Sequence, residues 1–530
     1  MNTITKQRAR LVGTAVAIAI LAVGFPALGQ TTVQTFTGAT SDSWTVNGNW
    51  NPTGVPNASG IWAQIDSRGT TASPQRILYT STNLITAPVM SLGAISFLPT
   101  LSLSSGTSLS IQNNSSSIKG TLKLFGIDTT IGGVPRRIVL DNSSTLSNIS
   151  FTQTLAGQDF ELNTSGAIHV AENTQLTSTA TIREAGGARA LTKIGPGTLV
   201  FSGTTSDDSV YSGGFAMEQG VVQWTNSGST SASPFGIGPL TLQGGTLRSS
   251  STTGRSINVS VVLDGGATLG STDTGVTGDI TINSSAGLLA TTVTNDSVVA
   301  IAGTGLTVWN QAISGSGGLT KQGTGTLRFS GLGGDVASSG PMIVSAGTLV
   351  MDAAKTGSGT LTVQSGATLS GTGSIAGATT ILAGGTLAPG GSPGVLSFGD
   401  NLSLTGTTVI EINGPARGTD YDGVNVGGAL GFGGSLDLQI PTVLTNGTYE
   451  LFDGFASQTS TFSSITLAGA YTGSLAESAG VWTGSFGGQD FTFTNATGDL
   501  SVVPEPSVLA LAGIAVAAVG GLWRRQMKRG

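Results

Sequence analysis

The stretch Leu191–Gly203 reads LTKIGPGTLVFSG, and Leu319–Gly331 reads LTKQGTGTLRFSG, a near copy offset by 128 residues. Each ends in a short run of alternating apolar residues, and runs of this kind read as strands. Outward from these two copies, a glycine, a small residue and an apolar residue recur at Leu199, Val222, Leu247, Leu269, Leu289, Leu306, Leu327, Leu349, Leu369 and Leu387. Successive steps lie between 17 and 25 residues and average about 21, a period that belongs to solenoid coils.

A coil of that length holds two or three strands of four to six residues, with glycine supplying the positive φ of the turns between them. Coils pair through their backbones ~4.8 Å apart and stack inward Leu, Val and Ile on one another. The spacing therefore predicts an all-β chain: a right-handed parallel β-helix over residues 71–400, an N-terminal cap region over 30–70 and a β-rich C-terminal cap over 401–502. About 14 coils would make a rod on the order of 70 Å long. A set of small β-sandwiches, the competing architecture, would repeat nearer 100 residues than 21. Helix is expected only at the two ends.

Composition bounds the function. Charged residues make up 9% of the chain, 82 residues are Gly and none is Cys. No disulfide framework and no thiolate metal site is available. Lys6, Arg8 and Arg10 precede an apolar run from Leu11 to Val23, and small residues follow at Ala27 and Gly29. That layout is a secretory signal peptide over residues 1–29, cleaved beside Ala27 and Gly29, the alternative being an uncleaved anchor. Between Gln30 and Val503 remain 15 basic and 27 acidic residues, a net charge of −12. Such a body suits neither nucleic acid nor an anionic lipid surface as partner.

The two near copies, over residues 191–224 and 319–351, resemble the autotransporter-associated β-strand repeat of the passenger regions of secreted, adhesin-like proteins. The later stretches LAPGGSPGVLSFGDNLSLTGTTVIEING and DYDGVNVGGALGFGGSLDL are similar to the closing coils of such passengers. A membrane β-barrel of alternating strands does not follow them, so export through a barrel of the chain's own is not expected.

Residues 503–530 begin with Val503, Pro504, Glu505 and Pro506, continue through an apolar run from Val508 to Trp523 and turn basic at Arg524 and Arg525. The run is about long enough to cross a bilayer, and the basic residues hold its end on the cytoplasmic side. This segment resembles the PEP-CTERM sorting signal. The resemblance implies transient residence in the inner membrane through a C-terminal transmembrane sorting helix and cleavage near Pro504–Pro506 by an exosortase-type processing enzyme. It further implies retention at the cell surface or in the extracellular matrix of a bacterium of Gram-negative type, in association with extracellular polysaccharide and biofilm. A plain membrane anchor is the competing reading of the tail.

Sites for chemistry are few. A glycosidase on a β-helix needs carboxylates at a fixed separation. Candidates are Asp207 with Asp208, and Asp420 with Asp422 beside Tyr421 and a basic partner at Arg417; all four acids read as turn residues. His169, the single histidine, lies in the alternating run GAIHVAEN and reads as a structural strand residue. Asp335 and the DYDGVN turn have some acidic-turn character but do not repeat as a calcium-binding array does. Trp44, Trp50 and Trp62, with Asn49, Asn51 and Pro56, are expected to cover the first coil, the alternative being stacking on sugar rings. The expectation is a passive structural element with no cofactor, no metal site and no catalytic residue.

Overall fold

The structure, a computed structural model, describes residues 32–36, 47–55, 57–65, 76–80, 89–97, 108–113, 120–131, 133–144, 148–153, 158–202, 209–227, 233–284, 289–331, 333–391 and 393–505. The signal-peptide segment with Ala27 and Gly29, and the sorting segment from Pro506 onward with Arg524 and Arg525, lie outside these residues. The described residues are all-β, with one 3₁₀ turn at Asn47–Asn49 and no α-helix. They form a parallel β-solenoid of about 14 turns.

Strands of successive coils pair in register along continuous ladders. One runs Leu176, Leu199, Val222, Leu247, Leu269 and Ile301, each the backbone partner of the next and each buried. A second runs Thr307, Leu327, Leu349, Leu369, Leu387 and Thr408, buried likewise. Burial follows from the two-residue period: Thr246–Ser249, for example, alternates half-buried with buried positions, its Leu247 inward and its Arg248 outward. Each inward residue of these two ladders thus rests on its counterparts in the coils above and below. Fully burying such a side chain contributes about 1.5–3 kcal/mol.

The ten-member glycine–leucine series of the sequence is therefore two columns spliced together. Its first members lie in one wall and those from Leu327 onward in another. Leu289 falls outside the strands, and in Leu306–Trp309 the inward residue is Thr307 while Leu306 is only half-buried. The splice occurs where one coil is enlarged, with 32 residues separating Leu269 from its partner Ile301.

Polar residues also stack along the solenoid. Asn283 donates to Asn258 Oδ1 at 2.8 Å, and Ser330 donates to Asn310 Oδ1 at 2.5 Å. In the core, Trp224 and Phe235 meet edge to face at 5.4 Å, with Phe201 and Phe215 against them.

The parallel ladders cross residue 400 without a break. Leu402–Leu404 pairs with Ala429–Gly431, Thr407–Glu411 with Ser435–Ile440, and the latter with Ser464–Gly469. The change of motif after Leu387 marks the end of the glycine–leucine pattern but not of the coils, because the alternation of buried residues continues through Leu436 and Ile465. At the other end, Thr32–Phe36 and Ala58–Ile65 pair in parallel with each other and onto Val89–Phe97, so the opening segment is a coil as well.

A five-stranded sheet closes the bottom, with the order Gly447–Glu450, Asp499–Pro504, Gln489–Thr494, Val481–Phe486 and Ala476–Ser478, all antiparallel. Phe432, Phe452, Phe462 and Phe493 cluster beneath it, Phe432 and Phe462 at 4.7 Å between ring centres. This aromatic layer covers the open end of the core.

Candidate functional site

The start of the sorting segment is part of the folded body. Val503 and Pro504 are the last residues of the strand Asp499–Pro504, opposite Asp490 and Gln489. The Glu505 N–H donates to the Gly488 carbonyl at 3.0 Å, so Glu505 faces the neighbouring strand. By strand alternation the backbone of Pro504 faces the other way, where Gly447–Glu450 ends with Gly447 opposite Val502. The donor that proline lacks is thus missing where no partner waits for it. Val503 is 46% exposed, and Pro504 and Glu505 are exposed too. Three of the expected sorting residues therefore stand open to solvent where the chain leaves the cap.

The two near copies are corners of the solenoid. Leu191–Ile194 lies in one ladder and Thr198–Phe201 in the next; Leu319–Gln322 lies in that second ladder and Thr326–Phe329 in a third. The same motif turns two successive corners, with Gly195 at φ 78° and Gly323 at φ 73° making the bend. Inside each corner sits a buried lysine that the sequence reading passed over. Lys193 donates to the carbonyls of Ile194 at 2.9 Å, Gly195 at 2.6 Å and Gln219 at 3.3 Å. Lys321 donates to those of Gln322 at 3.2 Å, Gly323 at 2.8 Å, Gly325 at 2.6 Å and Ala346 at 2.8 Å. Lys355 does the same for Gly357 and Gly359.

Burial pushes the Lys193 ammonium down to about 7 and the Lys321 ammonium down to about 8. The carbonyls around each act in the opposite direction, since they accept from the charged form. Gln219 and Ala346 belong to the following coil, so each lysine joins two coils. Its signature in the sequence is a lysine at the inward position of an alternating strand, present in both copies.

Of the carboxylate candidates, Asp420 and Asp422 each engage backbone groups of their own. Asp207 and Asp208 lie outside the described residues. Asp422 is buried and accepts the N–H groups of Gly394 and Glu411, both at 2.8 Å; burial raises its pKa to about 6. Asp420 instead accepts the Ala416 N–H at 3.1 Å. Arg417 donates to the Glu450 carbonyl at 2.8 Å and to Asn425 Oδ1 at 2.8 Å. Each of these groups holds backbone around a turn. Asp335 likewise accepts the Ala354 N–H at 3.1 Å.

His169 lies in the strand Gly166–Val170, and its Nδ1 meets Asp141 Oδ1 at 2.7 Å. Ser143 donates to the same oxygen at 2.7 Å. Ser143 Oγ also lies 3.3 Å from His169 Nδ1, so hydroxyl and carboxylate meet the same ring nitrogen, whereas a triad relay places them on the two different nitrogens of the imidazole. Trp50 is buried edge to face against Phe36 at 5.1 Å, and half-buried Trp62 donates to Ser96 Oγ at 2.7 Å. Trp44 and Pro56 lie outside the described residues.

A cleft of 660 Å³ opens beside the antiparallel hairpin Ile127–Ile131 and Val134–Asn142. Its lining includes Arg136, Arg137 and Arg189. Arg136 is paired with Glu218 and Arg137 with Asp128, whose carboxyl this hydrogen bond holds below the usual range. Arg189 donates to the Ala185 carbonyl at 3.2 Å.

The described residues define a parallel β-solenoid whose last strand runs directly into the exposed Val503, Pro504 and Glu505. Comparison with known families gives the particulars. The passenger-associated-transport-repeat family matches residues 191–223 and 319–351, and the PEP-CTERM protein-sorting motif matches residues 502–526. The sorting motif implies processing by an exosortase-type enzyme. No curated protein and no solved structure matches the chain.

Proposed function

We propose that the chain is a passive, non-enzymatic structural protein of the cell surface or extracellular matrix. In this reading it is adhesin-like, held briefly in the inner membrane by its tail, and retained in extracellular polysaccharide once processed. The observation that carries the proposal is the junction at Val503–Glu505: these three residues are exposed, and the strand before them is paired within the cap that closes the solenoid. The acids that could have made a hydrolase support the reading, since Asp420 and Asp422 are engaged with separate backbone groups.

The test uses protein recovered from the cell surface, incubated with extracellular polysaccharide from the same cells. The expected result is co-sedimentation with no loss of polysaccharide chain length. Depolymerisation that disappears with Asp420→Asn or Asp422→Asn would overturn the structural role. Failure to co-sediment would remove the polysaccharide from the proposal.

A further inference from the structure

The strand that leads to the sorting tail ends on one small face of the cap. Three segments meet there: the loop Val443–Asn446, the turn Gly487–Gly488, and Val503–Glu505. They are tied together through Tyr471 and Gln489. The Tyr471 hydroxyl accepts the Leu444 N–H at 3.0 Å and donates to Gln489 Oε1. Gln489 Nε2 donates to the Leu444 carbonyl at 3.1 Å and to Asn446 Oδ1 at 2.8 Å. Gln489 is also the partner of Pro504, and Gly488 holds Glu505. Out of this polar knot Val443 stands 76% exposed, the most exposed large apolar side chain among the described residues.

Only Pro506 and Ser507 separate Glu505 from the apolar run that begins at Val508. Three peptide steps reach at most about 11 Å. If inserted as a helix, the 16 residues Val508–Trp523 would span about 24 Å against a hydrocarbon core of about 30 Å. A span that short draws its flanks toward the bilayer rather than leaving slack above it. The short tether and the short span act in the same direction.

We propose that this end face of the cap lies on the outer surface of the inner membrane while the tail is intact, with Val443 entering the lipid interface. The partner is the bilayer itself, brought against the face by the short tether and met through Val443 rather than by charge attraction. The inference rests on the reading of the tail as membrane-inserted. One consequence is that Pro504 and Glu505 lie between cap and lipid, so a processing enzyme reaches the start of the motif in the interfacial layer.

The chain contains no cysteine, which makes a single introduced one a clean reporter. Full-length Val443→Cys carries an environment-sensitive fluorophore in phosphatidylcholine vesicles whose lipids bear a quencher near the headgroup. Ile237→Cys, on an exposed position of a coil far along the solenoid from the cap, is the reference. The expected result is about twofold or greater quenching at position 443 and none at 237, abolished by a twelve-residue Gly-Ser spacer after Ser507.

A probe at 443 that is unquenched while the chain resists carbonate extraction overturns the inference and leaves the tail reading standing. Extraction by carbonate removes the tail reading and the inference together. Shielding of the probe from aqueous iodide without quenching by lipid would mean a protein surface covers the face, and would also overturn it. Quenching that survives the spacer would show that the tether does not place the face.

Discussion

Lys193 and Lys321 occupy the same position of one repeated corner, in ladders one step apart around the solenoid. Each spends its ammonium on backbone carbonyls of its own turn and of the coil that follows. Among the described residues no carboxylate pairs with either. An ammonium has three donors and no acceptor, so a ring of carbonyls is the neutral environment that suits it. The repeat motif is thereby explained as a corner device: glycine bends the chain, and lysine gathers the carbonyls that the bend turns inward.

Lys321→Met keeps the stem of the side chain and removes the donors from four carbonyls. An orphaned buried polar group costs about 1–3 kcal/mol, and solvent near the turn relieves part of that total. A loss of roughly 2–4 kcal/mol is expected, read as a lower urea midpoint for the transition that involves this coil. An unchanged midpoint would refute the corner role.

The same lysines give the solenoid a pH dependence of definite sign. Lys193 is lowered to about 7 and Lys321 to about 8 in the folded chain, while unfolded lysines stay near 10.5. Between those values the unfolded state binds more protons, so stability rises as pH increases from about 7 toward 10 and falls back as pH drops through the folded values. The slope is at most about 1.4 kcal/mol per pH unit for each lysine. Urea midpoints measured at pH 6.5, 8 and 9.5 should climb in the native chain and climb less in Lys193→Met.

Gly347 offers a steric test of the same corner. Its φ is 65°, and an added Cβ would lie 2.5 Å from the Gly323 carbonyl oxygen and 2.6 Å from Lys321 Nζ. Gly133, in the exposed hairpin turn, has φ 82° and open space around it. Gly133→Ala should lose about 1–2 kcal/mol from backbone conformation alone. Gly347→Ala should lose more, because the clash is with backbone, and the difference in thermal midpoint between the two variants measures it.

Processing should be visible in mass. The surface form is expected to lack Val508–Gly530, and Glu505→Gln or replacement of Pro504 and Pro506 by Ala should leave a full-length form in the inner membrane. Glu505 is exposed and contributes its backbone N–H to the cap, so the Gln variant keeps the fold. Intact-mass spectrometry of surface and membrane fractions decides; a surface form that still ends in WRRQMKRG would make the tail an anchor only.

Much of the architecture was legible because a solenoid writes its geometry locally. The inward Leu of Thr326–Phe329 and that of Gly347–Met351 are partners in space and 22 residues apart in the chain. Wall identity was not legible. Leu269 and Leu327 share a motif but belong to different ladders, since the motif records a turn and a strand and carries no memory of how many corners precede it. The sorting junction was read from residue types, whereas its placement at a strand end depended on the register between Gln489 and Pro504, which is set by the hairpin turn at Gly487–Gly488. The buried lysines were visible as letters, but reading them as inward-facing required knowing which side of Leu191–Ile194 faced the core.

The ladder arrangement also decides how the molecule would respond to load. The backbone ladders join each coil to its immediate neighbours, so tension applied between one coil and the far end is carried mainly by one interface after another. A coil that gives way releases about 21 residues, or roughly 70 Å of extended backbone, while the remainder stays wound. Corner lysines that clasp two coils raise the force at which a given step yields. Under such load the solenoid would lengthen in discrete steps, one coil at a time, rather than give way at once.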